Sequence, residues 1–312
     1  MAGERPALPA PASTSTRALS WPAGLLWSLR PHQWTKNLLV FVPLIFAQRL
    51  RDPAAIQLAG SAFVIFCLLS GAIYLVNDVH DRDADRRHPL KARRPIAAGI
   101  VSPPLALGAA AVLGAGAILW AFLLGRWFGV VAATYLGLLT IYSTWLKHVV
   151  ILDVVTLAAG FVLRALGGAT VIDVEFSHWL LLLTLLGALF IGLSKRRAEL
   201  VGLADDATGH RRILAEYSPL LLDQMISVVT ASMLLAYALY TTSPETVGKL
   251  GTDKLIYTVP FILYGIFRYL YLVHQREGGG NPSELLVRDR PLIICGALWT
   301  GAVILILYGP WK

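Results

Sequence analysis

An all-α integral membrane protein of nine transmembrane helices is the fold class this sequence predicts, and three observations predict it. Apolar runs long enough to cross a hydrocarbon layer recur along nearly the whole chain. Of the 312 residues, 56% are hydrophobic and 15% charged, where a soluble domain would carry about a quarter charged. The 27 Lys and Arg residues are divided unevenly between alternate connecting segments, as in a chain that threads a bilayer. Mean hydropathy is +0.63.

Residues 1–20 are rich in Ala, Pro, Ser and Thr and lack the continuous apolar core of a signal peptide, so they read as a disordered cytosolic tail. Residues 21–312 read as one membrane domain. Trp21, Trp27 and Trp34 suit the headgroup interface and predict an interfacial helix before the first span. Spans are expected at about 36–49, 54–79, 103–124, 127–146, 149–171, 177–195, 218–242, 254–274 and 291–309. The first is short and holds Pro43, which predicts a tilt or a kink. Polar loops at about 80–102 and 196–217 follow the second and sixth spans and hint at a duplicated bundle.

Orientation follows from the basic residues. Arg82, Arg86, Arg87, Lys91, Arg93 and Arg94 follow the second span, and Lys195, Arg196 and Arg197 follow the sixth. The other side keeps Arg49, Arg51, Arg126, Lys249, Lys254 and Lys312. The expectation is therefore a plasma-membrane protein with a cytosolic N-terminus and an external C-terminus. A net charge of +8 would suggest nucleic acid in a soluble protein. Here anionic headgroups and phosphorylated substrates are the simpler partners, and no nucleic acid is expected. Cys67 and Cys295 both fall in apolar runs and read as buried thiols.

The stretch Asn77-Asp78-Val79-His80-Asp81-Arg82-Asp83-Ala84-Asp85 ends the second span. Asp78, Asp81 and Asp85 are spaced three and four apart, so a continuous helix would put them on one face with Asn77 beside them. Like charges so placed repel, and a bound divalent cation would reverse the sign. Hard oxygen ligands suit Mg²⁺, which is usually held by one or two carboxylates together with substrate phosphates. Asp83 points roughly the other way. An EF-hand is excluded, because Arg86 and Ala92 stand where that loop needs Gly and Glu. Bases follow at once, so acids for a metal stand beside bases for a phosphate. That pattern suggests an enzyme acting on a diphosphate, in a cavity open to the cytosol.

Other candidates are scattered. Arg30-Pro31-His32-Gln33-Trp34-Thr35-Lys36-Asn37 opens the first span and puts Lys36 at its mouth. Lys147 lies in the loop after the fourth span. Asp153 and Arg164 lie on nearly one face of the fifth, which allows an ion pair between them, and an intramembrane charge usually faces the bundle interior. Ser194-Lys195-Arg196-Arg197-Ala198-Glu199 closes the sixth. The seven histidines show no metal-ligand spacing, and Gly114-Ala115-Gly116 reads as helix packing.

Asn77-Asp78-x-x-Asp81-x-x-x-Asp85 resembles the first motif of the UbiA-type intramembrane prenyltransferase superfamily, and nine spans with loops after the second and sixth resemble that fold. The resemblance implies a second Asp-rich motif after the sixth span, where this chain instead has Ser194–Glu199. Arg30–Asn37, His88–Gly99 and Asn281–Leu286 are similar to one branch, the decaprenyl-phosphate phosphoribosyltransferases. That branch implies transfer of a 5-phosphoribosyl group from phosphoribosyl pyrophosphate to a polyprenyl phosphate, toward decaprenylphosphoryl-arabinose for cell-wall arabinan. On this reading Asn77, Asp78, Asp81 and Asp85 hold Mg²⁺ on the pyrophosphate, and Lys91, Arg94 and Lys147 take its remaining charge. Lys36, Lys195 and Arg196, beside Glu199, orient the lipid phosphate or the 5-phosphate, while Asp153 touches ribose hydroxyls or fixes Arg164. Two alternatives remain: a prenyltransferase using a prenyl diphosphate, and a lipid transporter or flippase. A homo-oligomer stays open.

Overall fold

Helix starts in this chain are marked by proline and by a polar side chain just before it, which answers the orphan N–H groups of a first turn. The computed structural model describes residues 20–89, 91–202, 212–275 and 288–309. The Gly278–Gly280 run, the Asn281–Leu286 motif and the first nineteen residues of the expected tail lie outside them.

The chain begins with Trp21–Ser28 (α1), on which Trp21 and Trp27 are exposed as an interfacial helix requires. A 3₁₀ segment, Pro31–Phe41, runs into the short helix Val42–Phe46 (α2). Pro53–His80 (α3) is capped by Asp52, whose carboxylate accepts from the N–H groups of Ala54 and Ala55. Arg82–Arg87 (α4) follows after one residue. Pro103–Leu124 (α5), Arg126–Thr144 (α6), Leu152–Val171 (α7) and His178–Gly202 (α8) come next. Pro219–Thr242 (α9) is capped by Ser218, Pro244–Leu250 (α10) by Ser243, and Arg290–Tyr308 (α12) by Asp289 after Val259–Gln275 (α11).

Among the described residues, eight helices are long and apolar enough to cross a membrane: α3, α5 to α9, α11 with the turn before it, and α12. Their outward faces carry exposed Val112, Leu123, Val228 and Leu298, which suits lipid. The protein is a multi-pass integral membrane protein. The first expected span differs from a plain helix. Pro31–Phe41 is 3₁₀ and only Val42–Phe46 is α-helical, and this segment is not among the eight.

Among the described residues, the two largest of four hydrophobic clusters build most of the bundle. One joins α3, α5 and α6 to Val40 and Leu44, with the Phe66 ring edge-on to Phe128 and Tyr135. The other joins α7, α8, α9, α11 and α12 around Phe190, Leu222 and Tyr269. Both contribute walls to one large cavity. The 3₁₀ segment docks on α7 through Gly168, where an added Cβ would collide with the Val40 carbonyl.

Gly168→Ala is therefore expected to lower stability by about 1–3 kcal/mol through overpacking, read as a lower Tm in detergent. Gly108→Ala, at a position with open space around it, should leave Tm unchanged or raise it. Equal behaviour of the two variants would contradict the docking of the 3₁₀ segment on α7.

Candidate active site

A helix that runs out of hydrogen bonds at a chosen point can turn its last side chains into a cavity. α3 does so at Asp81, whose N–H still bonds the Asn77 carbonyl while its backbone leaves the helix before α4 begins. The acids therefore do not share one continuous helix face, as the spacing alone predicted. The break separates them into a buried pair, Asp78 and Asp85, and a more open Asp81.

Two arginines meet the buried pair. Arg94 Nη1 donates to Asp78 Oδ1 at 3.1 Å and to Asp85 Oδ2 at 2.7 Å. Arg30 Nη2 donates to the same Asp78 oxygen at 2.5 Å and lies over the Tyr74 ring, 4.7 Å from its centroid. Arg30 holds a left-handed backbone (φ 54) just before Pro31, a conformation that costs energy in a non-glycine residue and aims its side chain at Asp78. Asp81 accepts from Lys147 Nζ at 3.2 Å, which joins the loop after α6 to the end of α3. Asp83 is exposed, with Arg86 4.0 Å from its carboxylate. Among the described residues no three His, Cys, Asp or Glu side chains converge as a ready metal cage. The donor set still fits a divalent cation, because one guanidinium nitrogen touches Asp78 and Asp85 together and so marks a point where a cation bridges them.

The cavity behind these residues has a volume of about 1770 Å³. Asn77, Lys91, Lys36, Arg164, Lys195 and Arg196 reach it along with Asp78, Asp81 and Arg94. Lys36 Nζ donates to Gln33 Oε1 at 3.2 Å, and Tyr74 donates to the same oxygen. Arg164 is buried, and among the described residues its hydrogen-bond partners are neutral. Its Nε donates to Asn37 Oδ1 at 2.7 Å, its Nη2 to the Tyr135 hydroxyl at 2.6 Å and its Nη1 to the Gly160 carbonyl at 2.9 Å. A buried positive charge held only by dipoles at a cavity wall is a receptor for an anion. The deeper walls are apolar, with Val42, Phe46, Ile191, Met233 and Trp299.

The expected link between Asp153 and Arg164 does not form. Eleven residues separate them, so they stand about 16 Å apart along one helix although they share a face. Asp153 is instead fully buried against Arg196, whose Nε donates to it at 2.6 Å, and against the Tyr217 hydroxyl at 2.8 Å. Arg196 Nη1 donates to Glu199 at 2.5 Å, and Lys195 lies 3.9 Å from the same carboxylate. Arg196 thus reaches the cavity with much of its charge already matched by acids. Burial, reinforced by the hydrogen bond to Asp153, pushes the Tyr217 hydroxyl up to about 12, so it stays a donor at neutral pH.

Sequence reasoning passed over Arg30, Tyr135 and Tyr217 as site members, and set Asn37 with Lys36 at the mouth of the first span without a role. Arg30 and Asn37 lie in the segment already singled out; the two tyrosines carry no local signal.

A sequence profile described as the UbiA prenyltransferase family matches residues 38–285. The chain belongs to the UbiA prenyltransferase family. Within that family it is 34% identical over 293 residues to the decaprenyl-phosphate phosphoribosyltransferase of Mycolicibacterium smegmatis, covering 90% of this chain and 91% of that one. It is 35% identical over 300 residues to the protein of the same name from Corynebacterium glutamicum, covering 91% of this chain and 87% of that one. Its fold matches a UbiA homolog from Archaeoglobus fulgidus bound to GPP and Mg²⁺ with a TM-score of 0.71 at 19% identity, over 90% of this chain and 99% of that one. The UbiA fold is thus common to chains of very different sequence.

Asp153→Ala in this UbiA family member should cost about 3 kcal/mol, because it strips one partner from a buried guanidinium; the retained Glu199 keeps the loss at the low end of such effects. Asp81→Ala, at a more open pair, should cost less than about 1 kcal/mol. Thermal unfolding of both variants in detergent distinguishes a buried structural ion pair from an open site residue, and the opposite ranking would contradict these roles.

Proposed function

We propose that this chain transfers the 5-phosphoribosyl group from phosphoribosyl pyrophosphate to decaprenyl phosphate and releases pyrophosphate; its relatives in M. smegmatis and C. glutamicum are decaprenyl-phosphate phosphoribosyltransferases. The observation that carries the reading is the end of α8. UbiA-type prenyltransferases bring a second acidic motif there for a prenyl diphosphate, whereas here Lys195 and Arg196 stand at the cavity, with Glu199 paired to Arg196 behind them. A lipid that carries one phosphate and no diphosphate needs cations, not carboxylates with a second metal.

In this reading Asn77, Asp78, Asp81 and Asp85 hold one Mg²⁺, the ion bound by the A. fulgidus homolog. The metal would supply neutralisation of the pyrophosphate charge. The chain's own groups do the rest. Arg30, Lys91, Arg94 and Lys147 surround the acids and take the pyrophosphate charge that grows as the ribose C1–oxygen bond breaks. Lys36, Arg164 and Lys195 lie on the cavity wall and receive the second phosphate group. An oxygen of the lipid phosphate forms the new bond to C1, and the electron pair of the broken bond departs with pyrophosphate. That phosphate is largely dianionic at neutral pH, with a second pKa of about 6, so no strong general base is required. The apolar walls take the prenyl chain. Residues 21–312 act as a single catalytic domain, with the acidic end of the bundle at the cytosol as the basic residues indicate.

Purified protein given labelled phosphoribosyl pyrophosphate, decaprenyl phosphate and Mg²⁺ should release pyrophosphate and label the lipid. Prenyl transfer from a prenyl diphosphate, without labelling from the ribosyl donor, would overturn the reading. Asp78→Asn and Asp85→Asn should each lower turnover at least ~100-fold while the protein stays monodisperse. Asp83→Asn, altering an exposed side chain, should remain within about twofold of wild type, inside the usual small range for such surface changes. Near-normal activity of both first variants would remove the metal site from this motif.

A further inference from the structure

The loop that delivers Lys147 is strained, and a side chain far along the chain restrains it. Between α6 and α7 the backbone passes through a short 3₁₀ turn, Leu146–His148, and then through Ile151 at φ 69 and ψ −46. The Leu152 N–H bonds the Val150 carbonyl at 2.8 Å. A bond from i to i+2 with these angles is a γ-turn of the rare, strained kind. Its central residue is β-branched, for which positive φ is a true outlier. The Ile151 side chain is 47% exposed and so cannot be held there by packing alone.

What holds the turn is hydrogen bonding. The Ile151 N–H donates to the Tyr217 hydroxyl oxygen at 2.7 Å. That hydroxyl donates to Asp153 Oδ1 at 2.8 Å, and the other Asp153 oxygen accepts from Arg196 Nε at 2.6 Å. Tyr217 and Asp153 are both buried, so water cannot substitute cheaply for either bond. Asp153 also lies two residues into the same turn, and its own N–H bonds the Val149 carbonyl. The chain direction at residues 149–152 is thus set from the segment before α9 and from α8, and it leads straight back to Lys147 at Asp81, 3.2 Å away.

We propose that Tyr217 is a positioning residue: its hydroxyl clamps the Ile151 γ-turn and thereby sets the Lys147 ammonium against Asp81 at the acidic end of the cavity. The proposal deepens the proposed function and rests on its placing of Lys147 at the pyrophosphate. It requires no contact between Tyr217 and substrate. It also accounts for a β-branched residue persisting where glycine would be unstrained, since the clamp supplies what the backbone lacks.

Tyr217→Phe removes the clamp and keeps the ring. Loss of one buried hydrogen bond corresponds to about a tenfold change. KM for phosphoribosyl pyrophosphate should therefore rise about tenfold, while KM for the lipid should remain unchanged. Lys147, no longer held at Asp81, should react faster with an amine-directed reagent when its peptide is quantified by mass spectrometry. Ile151→Gly alone should leave both readouts at wild-type values, because glycine adopts this turn freely. In the Tyr217→Phe background, Ile151→Gly should restore most of the lost affinity and return Lys147 to slow labelling. Unchanged labelling and unchanged KM in Tyr217→Phe would overturn the proposal, as would failure of Ile151→Gly to rescue a well-folded double variant. The labelling arm needs no turnover: if Lys147 responds as described but wild type transfers no phosphoribosyl group, the clamp stands and the assigned reaction falls.

Discussion

A guanidinium taken out of water must find oxygen, and this protein is organised around four that do. Arg30 and Arg94 find the buried carboxylates Asp78 and Asp85. Arg196 finds Asp153 and Glu199. Arg164 finds the dipoles of Asn37, Tyr135 and Gly160. At Arg164 and Arg196, which are buried, a broken contact leaves a charge with little solvent to receive it. The same low dielectric makes these charges strong toward an anion that enters the cavity. Stability and binding therefore draw on the same groups, divided by whether the partner is already present. Arg196 is matched by acids, whereas Arg164 still offers most of a positive charge.

That division follows α7. Asp153 at its start and Arg164 three turns on share a face but serve different neighbours, α8 on one side and the 3₁₀ segment with α6 on the other. One turn further, Gly168 lets the backbone of Val40 press directly against the helix. The close approach carries Asn37 to Arg164, three residues before Val40 on a coil that repeats every three residues. The unusual geometry of the first segment is thus part of how the anion-facing arginine is held.

The acidic end shows the complementary logic. Where α3 ends at Asp81, Asp78 and Asp85 stay close enough for one Arg94 nitrogen to bond both, while Asp81 stands apart with Lys147. Lys147 then crosses from a loop whose backbone is restrained by Tyr217 and Asp153. Charges from the segment before α2, from the ends of α3 and α4, from the loop after α4 and from the loop after α6 converge on one mouth. None of these elements holds a complete site by itself.

Much of the fold was legible in the sequence because membrane crossings are a property of composition along the chain. Long apolar runs, Pro with Asp or Ser before them, and the uneven basic residues are local signals that any fold in a bilayer would have to respect. The Asp-rich motif was legible for the same reason, since spacing of three and four is read between neighbours. Its break at Asp81 was not, because a continuous helix and a kinked one satisfy the same spacing. Nor was the partner of Asp153: the sequence offered Arg164 on the same face, and the structure assigned Arg196, 43 residues away. Tyr217, 66 residues from Ile151, carried no signal at all. Periodicity reports which residues share a helix face, whereas ion pairs and clamps depend on which faces meet, and that is decided only when the helices pack.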